Sequence, residues 1–322
     1  MKNYSNNKET ILLLGGAGFI GQNIIDYLNK YTELNDKYTF IVLYRSTYQE
    51  ISQNCIYIKG DYTNQKLLKK LFSEWNFTKV FHCGTATTPL SSNNNIIVDI
   101  NNNLIATIGL LETMKEFNCK FILYISSGGA VYGENFTGKI SEKEICTPVS
   151  SYGVVKLTIE NYIQLYQKQF GIDFLILRVS NPFGKFHTSE IQGVINIGIR
   201  RSLRKKTLQI WGDGSQTKDY IFADDLVEII FKLLQNKILN KIINLGSGTS
   251  IPLKEILKIL KNQLPDLKLK FEKYKSTDVK NFYLDTSLLN SLVDFRLTNF
   301  DEAVKKTIDW EKKQLNSKII EL

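Results

Sequence analysis

Tyr152 and Lys156 are the residues whose types and spacing most directly indicate chemistry. They are four residues apart in the segment Tyr-Gly-Val-Val-Lys, and on a helix this spacing places both side chains on one face. A nearby ammonium, together with a charged nicotinamide ring, stabilises a phenolate and lowers the pKa of the phenol toward neutrality. Such a phenol can exchange a proton with a sugar hydroxyl or ketone while hydride moves to or from a nicotinamide.

A glycine-rich turn near the start of the chain supports this chemistry. Gly15, Gly18 and Gly21, with Phe19 and Ile20 among them, follow an apolar segment and open a helical pattern. Glycine allows a tight turn and a close approach of the backbone to a pyrophosphate, which the helix N-terminus attracts. The placement between strand and helix predicts that these five residues form a dinucleotide-binding turn.

The end of the second predicted strand bears on which dinucleotide is bound. A site that prefers NAD usually has Asp or Glu here to accept from the ribose hydroxyls, whereas this chain continues with Arg45 and Ser46. Both residues could bind a 2′-phosphate, because a guanidinium matches phosphate geometry. We therefore favour NADP(H) over NAD(H), with a solvated surface arginine as the alternative interpretation of Arg45.

Alternating patterns along the chain place these motifs on one sheet. Short apolar runs alternate with helical patterns, which is typical of βαβ units. The predicted fold class is α/β, a Rossmann-type doubly wound parallel sheet with a smaller C-terminal α/β substrate lobe. The predicted strands are residues 10–14, 38–44, 55–58, 79–83, 120–125 and 173–179, and the predicted helices are 20–30, 67–75, 103–117 and 151–170.

The chain changes character after Pro182, where segments shorten and glycine clusters appear. We predict a dinucleotide-binding domain at residues 1–180 and a substrate lobe at 181–322 that closes over the strand ends, with some crossing of the chain between them. The asparagine-rich residues 91–103 are interrupted by apolar side chains, and we predict a loop that leads into a helix.

Composition argues against several other classes of protein. The net charge is +9, yet the densest basic run has no interleaved aromatics, so we interpret it as a solvated helix end and expect no nucleic-acid partner. The four scattered cysteines and two histidines suggest reduced thiols and no metal site. The sequence has no apolar stretch long enough to predict a membrane span. The polar N-terminal residues lack the apolar core of a secretory signal, so we expect a cytoplasmic protein. The basic run consists of Arg200, Arg201, Arg204, Lys205 and Lys206.

Several motifs together resemble the extended short-chain dehydrogenase/reductase family, in its nucleotide-sugar epimerase/dehydratase/reductase branch. They are GGAGFIG at 15–21, SSGGAVYG at 126–133, YGVVK at 152–156, RVSNPFG at 178–184 and WGDGSQTKDY at 211–220. The resemblance implies that Tyr152 is the general acid/base and that Lys156 binds the nicotinamide ribose. The family's catalytic hydroxyl aligns with Gly128 when counted from Tyr132 and with Ser127 when counted from Tyr152. We choose Ser127, with Ser126 as the alternative.

The resemblance also implies binding residues for the cofactor and the substrate. Asn103 matches a family asparagine that begins a helix, although it could equally be an N-cap. Lysines replace two arginines that often hold the substrate diphosphate, and lysine lacks the bidentate fork of arginine. The further cofactor-binding residues are Asp61, Tyr62, Gly84, Thr85 and Ala86, and the substrate-binding residues are Asn181, Lys218 and Lys275.

Three functions remain open at this stage. The first is an NADP(H)-dependent reductase acting at C4 of a 4-keto, 6-deoxy nucleotide sugar, and the second is a C4 epimerase that recycles tightly held NAD. The third is a dinucleotide-binding protein without catalysis, which the intact Tyr152 and Lys156 disfavour. A dehydratase is disfavoured because Gly128 and Gly129 replace its Asp-Glu pair.

A homodimer is implied by the same resemblance. Family members commonly pair through two helices per subunit, which correspond here to residues 103–117 and 151–170. Leu110 and Leu111 lie on both faces of the first of these helices and are compatible either with that interface or with a core helix.

Overall fold

Seven parallel strands form the central sheet of the protein, in the order β3-β2-β1-β4-β5-β6-β11. The computed structural model describes residues 8–45, 52–134, 138–273 and 282–320. The strands of this sheet are β1 (Glu9–Leu14), β2 (Tyr38–Tyr44), β3 (Cys55–Lys59), β4 (Lys79–His82), β5 (Phe121–Ser127), β6 (Asp173–Val179) and β11 (Lys241–Leu245).

Helices cover both faces of the sheet, because alternate residues of each strand point to opposite sides and both sets are apolar. In β1, Ile11 and Leu13 belong to one core cluster, and Leu12 and Leu14 belong to the other. The helices of the first 180 residues are α1 (Phe19–Lys30), α2 (Leu34–Lys37), α3 (Gln65–Trp75), α4 (Pro89–Ser92), α5 (Ile96–Asp99), α6 (Ala106–Glu116), α7 (Gly128–Val131) and α8 (Ser151–Phe170). The predicted doubly wound α/β fold is confirmed.

The later part of the chain has a core of its own, built around Phe183, Ile199, Ile256 and Val304. Its short strands pair as β7 (Asn181–Phe183) with β10 (Tyr220–Phe222), β8 (Leu208–Trp211) with β13 (Leu269–Glu272), and β9 (Thr217–Lys218) with β12 (Ile251–Pro252). Its helices are α9 (Val194–Leu203), α10 (Ala223–Gln235), α11 (Leu253–Gln263), α12 (Ser287–Leu292) and α13 (Phe300–Ile320). Because β11 comes from this part and joins the central sheet beside β6, the chain crosses between the two regions. The division at residue 180 stays a prediction.

The asparagine-rich segment 91–103 is helical except for a turn at 93–95, so the prediction of a loop was wrong for most of it. The side chain of Asn95 accepts from the amide of Val98 and caps α5, and a π-helical turn over Ile100–Ile105 runs directly into α6. An asparagine side chain can start a helix by accepting a hydrogen bond from an amide of its first turn. A biased composition does not by itself indicate this cap. Asn103 therefore lies inside a helix and is not an N-cap.

The basic run at the end of α9 is only partly solvated, which corrects a second prediction. Arg200 is buried and donates to Glu311 at 2.7 Å, whereas Lys205 and Lys206 are exposed. Within the described residues, no helix is long and apolar enough to cross a membrane, and no group of three or more potential metal ligands occurs. All four cysteines are free thiols.

Candidate active site

The ends of the parallel strands bring the predicted site residues to one edge of the sheet. Gly15 follows β1, Arg45 follows β2, Asp61 lies just beyond β3, and Gly84 lies just beyond β4. The strand order reverses between β1 and β4, and ligands of such sheets bind in the crevice at this switch point. The geometry therefore places the candidate site between the loops that follow β1 and β4.

The glycine turn is fixed by backbone contacts that admit no side chain. Gly15 has a φ of +76°, and a Cβ on it would lie 2.6 Å from the Cα of Gly84. A Cβ on Gly21 would lie 2.3 Å from the carbonyl oxygen of Gly15. These two glycines are required by the packing of the turn itself.

Gly18 differs from its neighbours in a way that suits a ligand. It is exposed, and a Cβ on it would meet just the carbonyl oxygen of Gly15, at 3.1 Å, among the described residues. Gly18 also precedes α1, which within the described residues has no side-chain cap at its N-terminus. Uncapped amides beside an open backbone are suited to bind a pyrophosphate, so the turn of Gly15, Gly18, Phe19, Ile20 and Gly21 fits a dinucleotide.

Arg45 and Asp61 form an ion pair at the far end of this edge. The guanidinium lies 3.4 Å from the carboxylate, and the arginine side chain is 63% exposed. Burial alone would raise the pKa of Asp61, but hydrogen bonds from Thr63 and the charge of Arg45 lower it. The two predicted cofactor-binding residues thus meet each other, while Ser46 and Lys275 lie outside the described residues.

A narrow cleft with a cavity volume of about 10 Å³, room for about one water molecule, lies between the loop after β4 and α8. Tyr62 is held in its wall because its hydroxyl donates to the carbonyl of Asn102 at 2.7 Å. Burial and the charge of Lys156 lower the pKa of the neighbouring His82 to about 3, so this imidazole is neutral. The cleft is lined by Tyr62, His82, Gly84, Thr85, Tyr152 and Lys156, among others.

Asn103 holds the loop beside this cleft. Its side-chain oxygen accepts from the amide of Ala86 at 2.8 Å, and its amide donates to Thr87 at 3.1 Å and to Asp99 at 2.8 Å. The side chain thereby orders Thr85 and Ala86, which the sequence assigns to the cofactor. Asn103 contacts the loop rather than standing free in the cleft.

Tyr152 and Lys156 lie at the start of α8, as their spacing predicted. The ammonium of Lys156 donates to the carbonyl of Ile125 at 2.7 Å and lies 4.5 Å from the ring centroid of Tyr124. The ring centroid of Tyr152 is 5.7 Å from the same ammonium. Lysine and tyrosine are thus adjacent, with the ammonium fixed by β5.

Ser127 and Ser126 have different environments. Ser127 lies near enough to the phenol of Tyr152 to act on its pKa, in the lowering direction. The hydroxyl of Ser126 instead donates to the buried carboxylate of Glu160 at 2.5 Å. A Cβ on Gly128 would lie 3.0 Å from the side chain of Leu284, so packing disfavours a hydroxyl-bearing residue there.

In the protein without cofactor, the pKa of Tyr152 is raised and the pKa of Lys156 is lowered. Burial, then the charge of Asp99, raises the pKa of Tyr152 to about 12. Burial lowers the pKa of Lys156 to about 8, whereas the neighbouring Cys83, Glu160 and Asp99 act to raise it. The protein groups by themselves therefore keep the phenol protonated, and the depression of its pKa by Lys156 together with a charged nicotinamide ring stays a prediction.

A buried ion pair below the site was missed by the sequence analysis. Arg178 donates to Glu160 at 2.7 Å and to the hydroxyl of Tyr132 at 3.0 Å, and Tyr132 in turn donates to Asn244. Two signals were present in the sequence: Arg178 begins the motif RVSNPFG, and Glu160 follows Lys156 by one helical turn. Neither signal identifies the partner across the sheet.

Asn181 and Lys218, the two predicted substrate residues that the structure describes, lie together in the later part of the chain. Asn181 begins β7, and its amide donates to the carbonyl of Asp219 at 2.8 Å. Lys218 ends β9 and directly precedes Asp219. The buried carboxylate of Asp219 accepts from the amides of Ser247, Gly248 and Leu284, so the motifs RVSNPFG and WGDGSQTKDY are joined at this carboxylate.

Comparison with known proteins agrees with this arrangement. The family model described as the NAD dependent epimerase/dehydratase family matches residues 11–246. A Methanocaldococcus jannaschii protein provisionally named UDP-glucose 4-epimerase is 32% identical over 94% of this chain and 98% of its own length. The dTDP-4-dehydro-6-deoxyglucose reductase of Escherichia coli is 31% identical over 80% of this chain and 82% of its own.

A solved structure also matches nearly the whole chain. The UDP-glucose 4-epimerase of Thermotoga maritima, crystallised with UDP-glucose, superposes with a TM-score of 0.87 at 26% sequence identity. The match covers 95% of this chain and 99% of that one. The similarity thus includes the later part of the chain.

Substitutions in the glycine turn should separate binding from folding. We expect Gly18→Ala to fold normally but to bind NADPH and NADH about tenfold more weakly or worse, because its Cβ occupies the approach to the pyrophosphate. Gly21→Ala should lower the melting temperature instead, because its Cβ clashes with Gly15. Fluorescence titration and thermal unfolding measure the two effects. Unchanged affinity in Gly18→Ala would contradict the assigned approach.

Proposed function

The chain belongs to the NAD-dependent epimerase/dehydratase family, and on that premise we propose that it is an NADP(H)-dependent reductase. Its substrate is a 4-keto, 6-deoxy hexose linked to a nucleoside diphosphate, and the reaction reduces C4. The membership makes the protein a nucleotide-sugar enzyme of the epimerase and reductase type with a nicotinamide cofactor. The cofactor preference, the direction of hydride transfer and the residue roles are the proposed part.

The residues around Tyr152 suit proton delivery to a ketone. Bound dinucleotide supplies the hydride that adds to C4. The oxygen at C4 accepts a hydrogen bond from Ser127 and takes the phenolic proton of Tyr152, which leaves a phenolate. The ammonium of Lys156 stabilises that phenolate because it is held beside the ring. Solvent then returns a proton to the tyrosine.

Arg45 is the observation on which the choice of a reductase rests. It stands at the end of β2, where a carboxylate would select NAD, and its guanidinium is mostly exposed. Its ion pair with Asp61 places it beside a second predicted cofactor residue, at the edge of the sheet where the adenine ribose of a bound dinucleotide would lie. NADP(H) is the usual donor for reductions, and a phenol with a raised pKa is an acid at rest, as ketone reduction requires.

A C4 epimerase is the second candidate, and the relatives favour it. The M. jannaschii protein with the 4-epimerase name covers 94% of this chain, more than the 80% covered by the E. coli reductase. An epimerase would use the same three residues, first as base and then as acid. Its bound cofactor would be NAD, and the hydride removed from C4 would be returned to the opposite face of the ketone.

Two features support a nucleoside diphosphate without elimination of water. Asn181 and Lys218 offer an amide and an ammonium in the later part of the chain, with Lys275 as a third predicted contact. Gly128 and Gly129 carry no acid or base, and a Cβ on Gly128 would lie 3.0 Å from the side chain of Leu284, so the acid and base of a dehydratase are absent there. The diphosphate is therefore expected to bind through lysines, without bidentate arginine contacts.

A direct assay distinguishes the two candidates. We expect purified protein to oxidise NADPH in the presence of dTDP- or UDP-linked 4-keto-6-deoxyhexose, followed at the nicotinamide absorbance band. Interconversion of UDP-glucose and UDP-galactose without added cofactor, with no oxidation of NADPH by any keto sugar, would establish the epimerase instead.

The assignment of the acid can be tested on the same assay. We expect Tyr152→Phe to lower kcat by about 10²- to 10⁴-fold, because the phenyl ring packs similarly but has no proton to donate. Tyr162→Phe removes a hydroxyl later on the same helix and should leave kcat near that of the wild type. Retained turnover in Tyr152→Phe would show that another group supplies the proton.

The cofactor preference is tested at Arg45. We expect the wild type to bind NADPH more tightly than NADH, and Arg45→Ala to weaken NADPH binding by about 10- to 100-fold because a charge-assisted contact to phosphate is lost. NADH binding should change little. Arg296→Ala, at another exposed arginine, is the matched control. Equal losses for both dinucleotides would argue against a 2′-phosphate contact.

We further propose that the chain forms a homodimer through the outer faces of α8 and the preceding π-helical turn. Val154 and Leu165 are 49% and 41% exposed and lie on one side of α8, about three turns apart. Ile105 in the π-helical turn is 53% exposed as well. Leu110 and Leu111 are fully buried in the core, so they do not form this surface. An apolar stripe of this kind is typical of a protein interface.

The dimer is tested by light scattering after size-exclusion chromatography. We expect a dimer for the wild type and a monomer for the double variant Val154→Lys/Leu165→Lys, because two charges per subunit would be buried in the interface. Ile145→Lys, at an exposed apolar residue outside these helices, should remain dimeric. A monomeric wild type would contradict the proposed interface.

A further inference from the structure

Asp99 is a buried carboxylate at the end of an exposed helix. The residues before it, Ile96, Ile97 and Val98, are 51%, 66% and 42% exposed, whereas Asp99 has no exposed surface. Carboxylates are almost never fully buried unless they are paired or hydrogen-bonded. This inversion of the usual pattern indicates that the carboxylate has specific partners.

Both oxygens of Asp99 accept hydrogen bonds, and the donors come from two sides of the cleft. Oδ1 accepts from the hydroxyl of Thr87 at 2.5 Å and from the amide of Asn103 at 2.8 Å. Oδ2 accepts from the hydroxyl of Ser151 at 2.6 Å. Thr87 ends the loop that follows β4, and Ser151 directly precedes Tyr152. The carboxylate therefore joins the cofactor-side loop to the first turn of α8.

The same turn of α8 has two further ties to this region. The backbone amide of Tyr152 donates to the hydroxyl of Ser92 at 3.0 Å, and the amide of Ser151 donates to the side chain of Asn93 at 2.9 Å. Of these contacts, those of Asp99 alone also reach the loop after β4. Asp99 thus links the loop after β4 to the first turn of α8, whereas Ser92 and Asn93 hold the α8 side.

We propose that Asp99 is a positioning residue that holds the phenol of Tyr152 at a fixed place relative to the loop at residues 84–87. This role rests on the function proposed above. Asp99 does not touch the reacting atoms. Its geometry acts through Ser151 and Thr87, and misplacement of a catalytic group by about 1 Å can cost about 10²-fold in rate.

The charge of Asp99 also acts on the neighbouring lysine. Burial lowers the pKa of Lys156 to about 8, whereas the neighbouring Cys83 after β4 and the carboxylates of Glu160 on α8 and Asp99 on α5 act to raise it. The neutral His82 on β4 completes the surroundings. Removing the carboxylate charge of Asp99 takes away one opposing contribution, so the pKa of Lys156 falls and its proton is lost at lower pH.

The decisive variant is Asp99→Asn, which keeps the shape of the side chain and removes its charge. We expect kcat to fall by about 10- to 100-fold with a smaller change in KM, and the alkaline decline of the pH profile to begin at lower pH than in the wild type. Asp225→Asn is the matched control, because Asp225 is a buried carboxylate on α10 that accepts from Thr298. It should keep the kcat and pH profile of the wild type.

Hydrogen–deuterium exchange gives a readout that does not need turnover. We expect Asp99→Asn to raise exchange both at residues 85–87 and in the first turn of α8, and Asp225→Asn to raise it near Thr298 instead. Unchanged exchange at both segments, or an unchanged kcat and pH profile where Tyr152→Phe is inactive, overturns the role of Asp99. Wild-type protein that turns over none of the sugars overturns the proposed function alone, and exchange then decides the positioning.

Discussion

The buried ion pair of Glu160 and Arg178 is the interaction on which the arrangement of the site depends. It connects α8 to β6, and through Ser126 and Tyr132 it also connects them to β5 and α7. Lys156 lies one turn before Glu160 on the same helix, so the ion pair fixes the position of α8, and with it that of Lys156, against the sheet. A buried pair of this kind stabilises little in net terms, but loss of one partner leaves an uncompensated charge that costs about 3–5 kcal/mol.

The electrostatics of the site follow from this burial. The phenol of Tyr152 and the ammonium of Lys156 both lie where charge is poorly solvated, so each pKa moves toward the neutral form of its group. The tyrosine therefore keeps its proton at neutral pH, and the pKa of the lysine, at about 8, lies near physiological pH. A charged ring or a reacting oxygen brought to this cleft would act on two groups whose ionisation is already costly.

Local sequence patterns predicted most of the fold, because strand and helix periodicity and the glycine turn depend on neighbouring residues. The bounds of β2, β6 and α8 agree with the prediction, and the pairing of Tyr152 with Lys156 follows from helical spacing alone. The errors come from side-chain hydrogen bonds that neither composition nor spacing identifies. Residues 91–103 turn helical through a local cap by Asn95, whereas Arg200 is buried by its contact with Glu311, a partner distant in the chain.

The place of β11 in the sheet has a consequence for synthesis on the ribosome. Residues 173–179 can add to the sheet early, but the outer edge of β6 stays uncovered until residues 241–245 have emerged. Asn244, which completes the hydrogen bonds around Tyr132, arrives in the same step. The nascent first half therefore carries an open strand edge of the kind that promotes aggregation. Translation of the later part closes that edge and completes the surroundings of Arg178 at once.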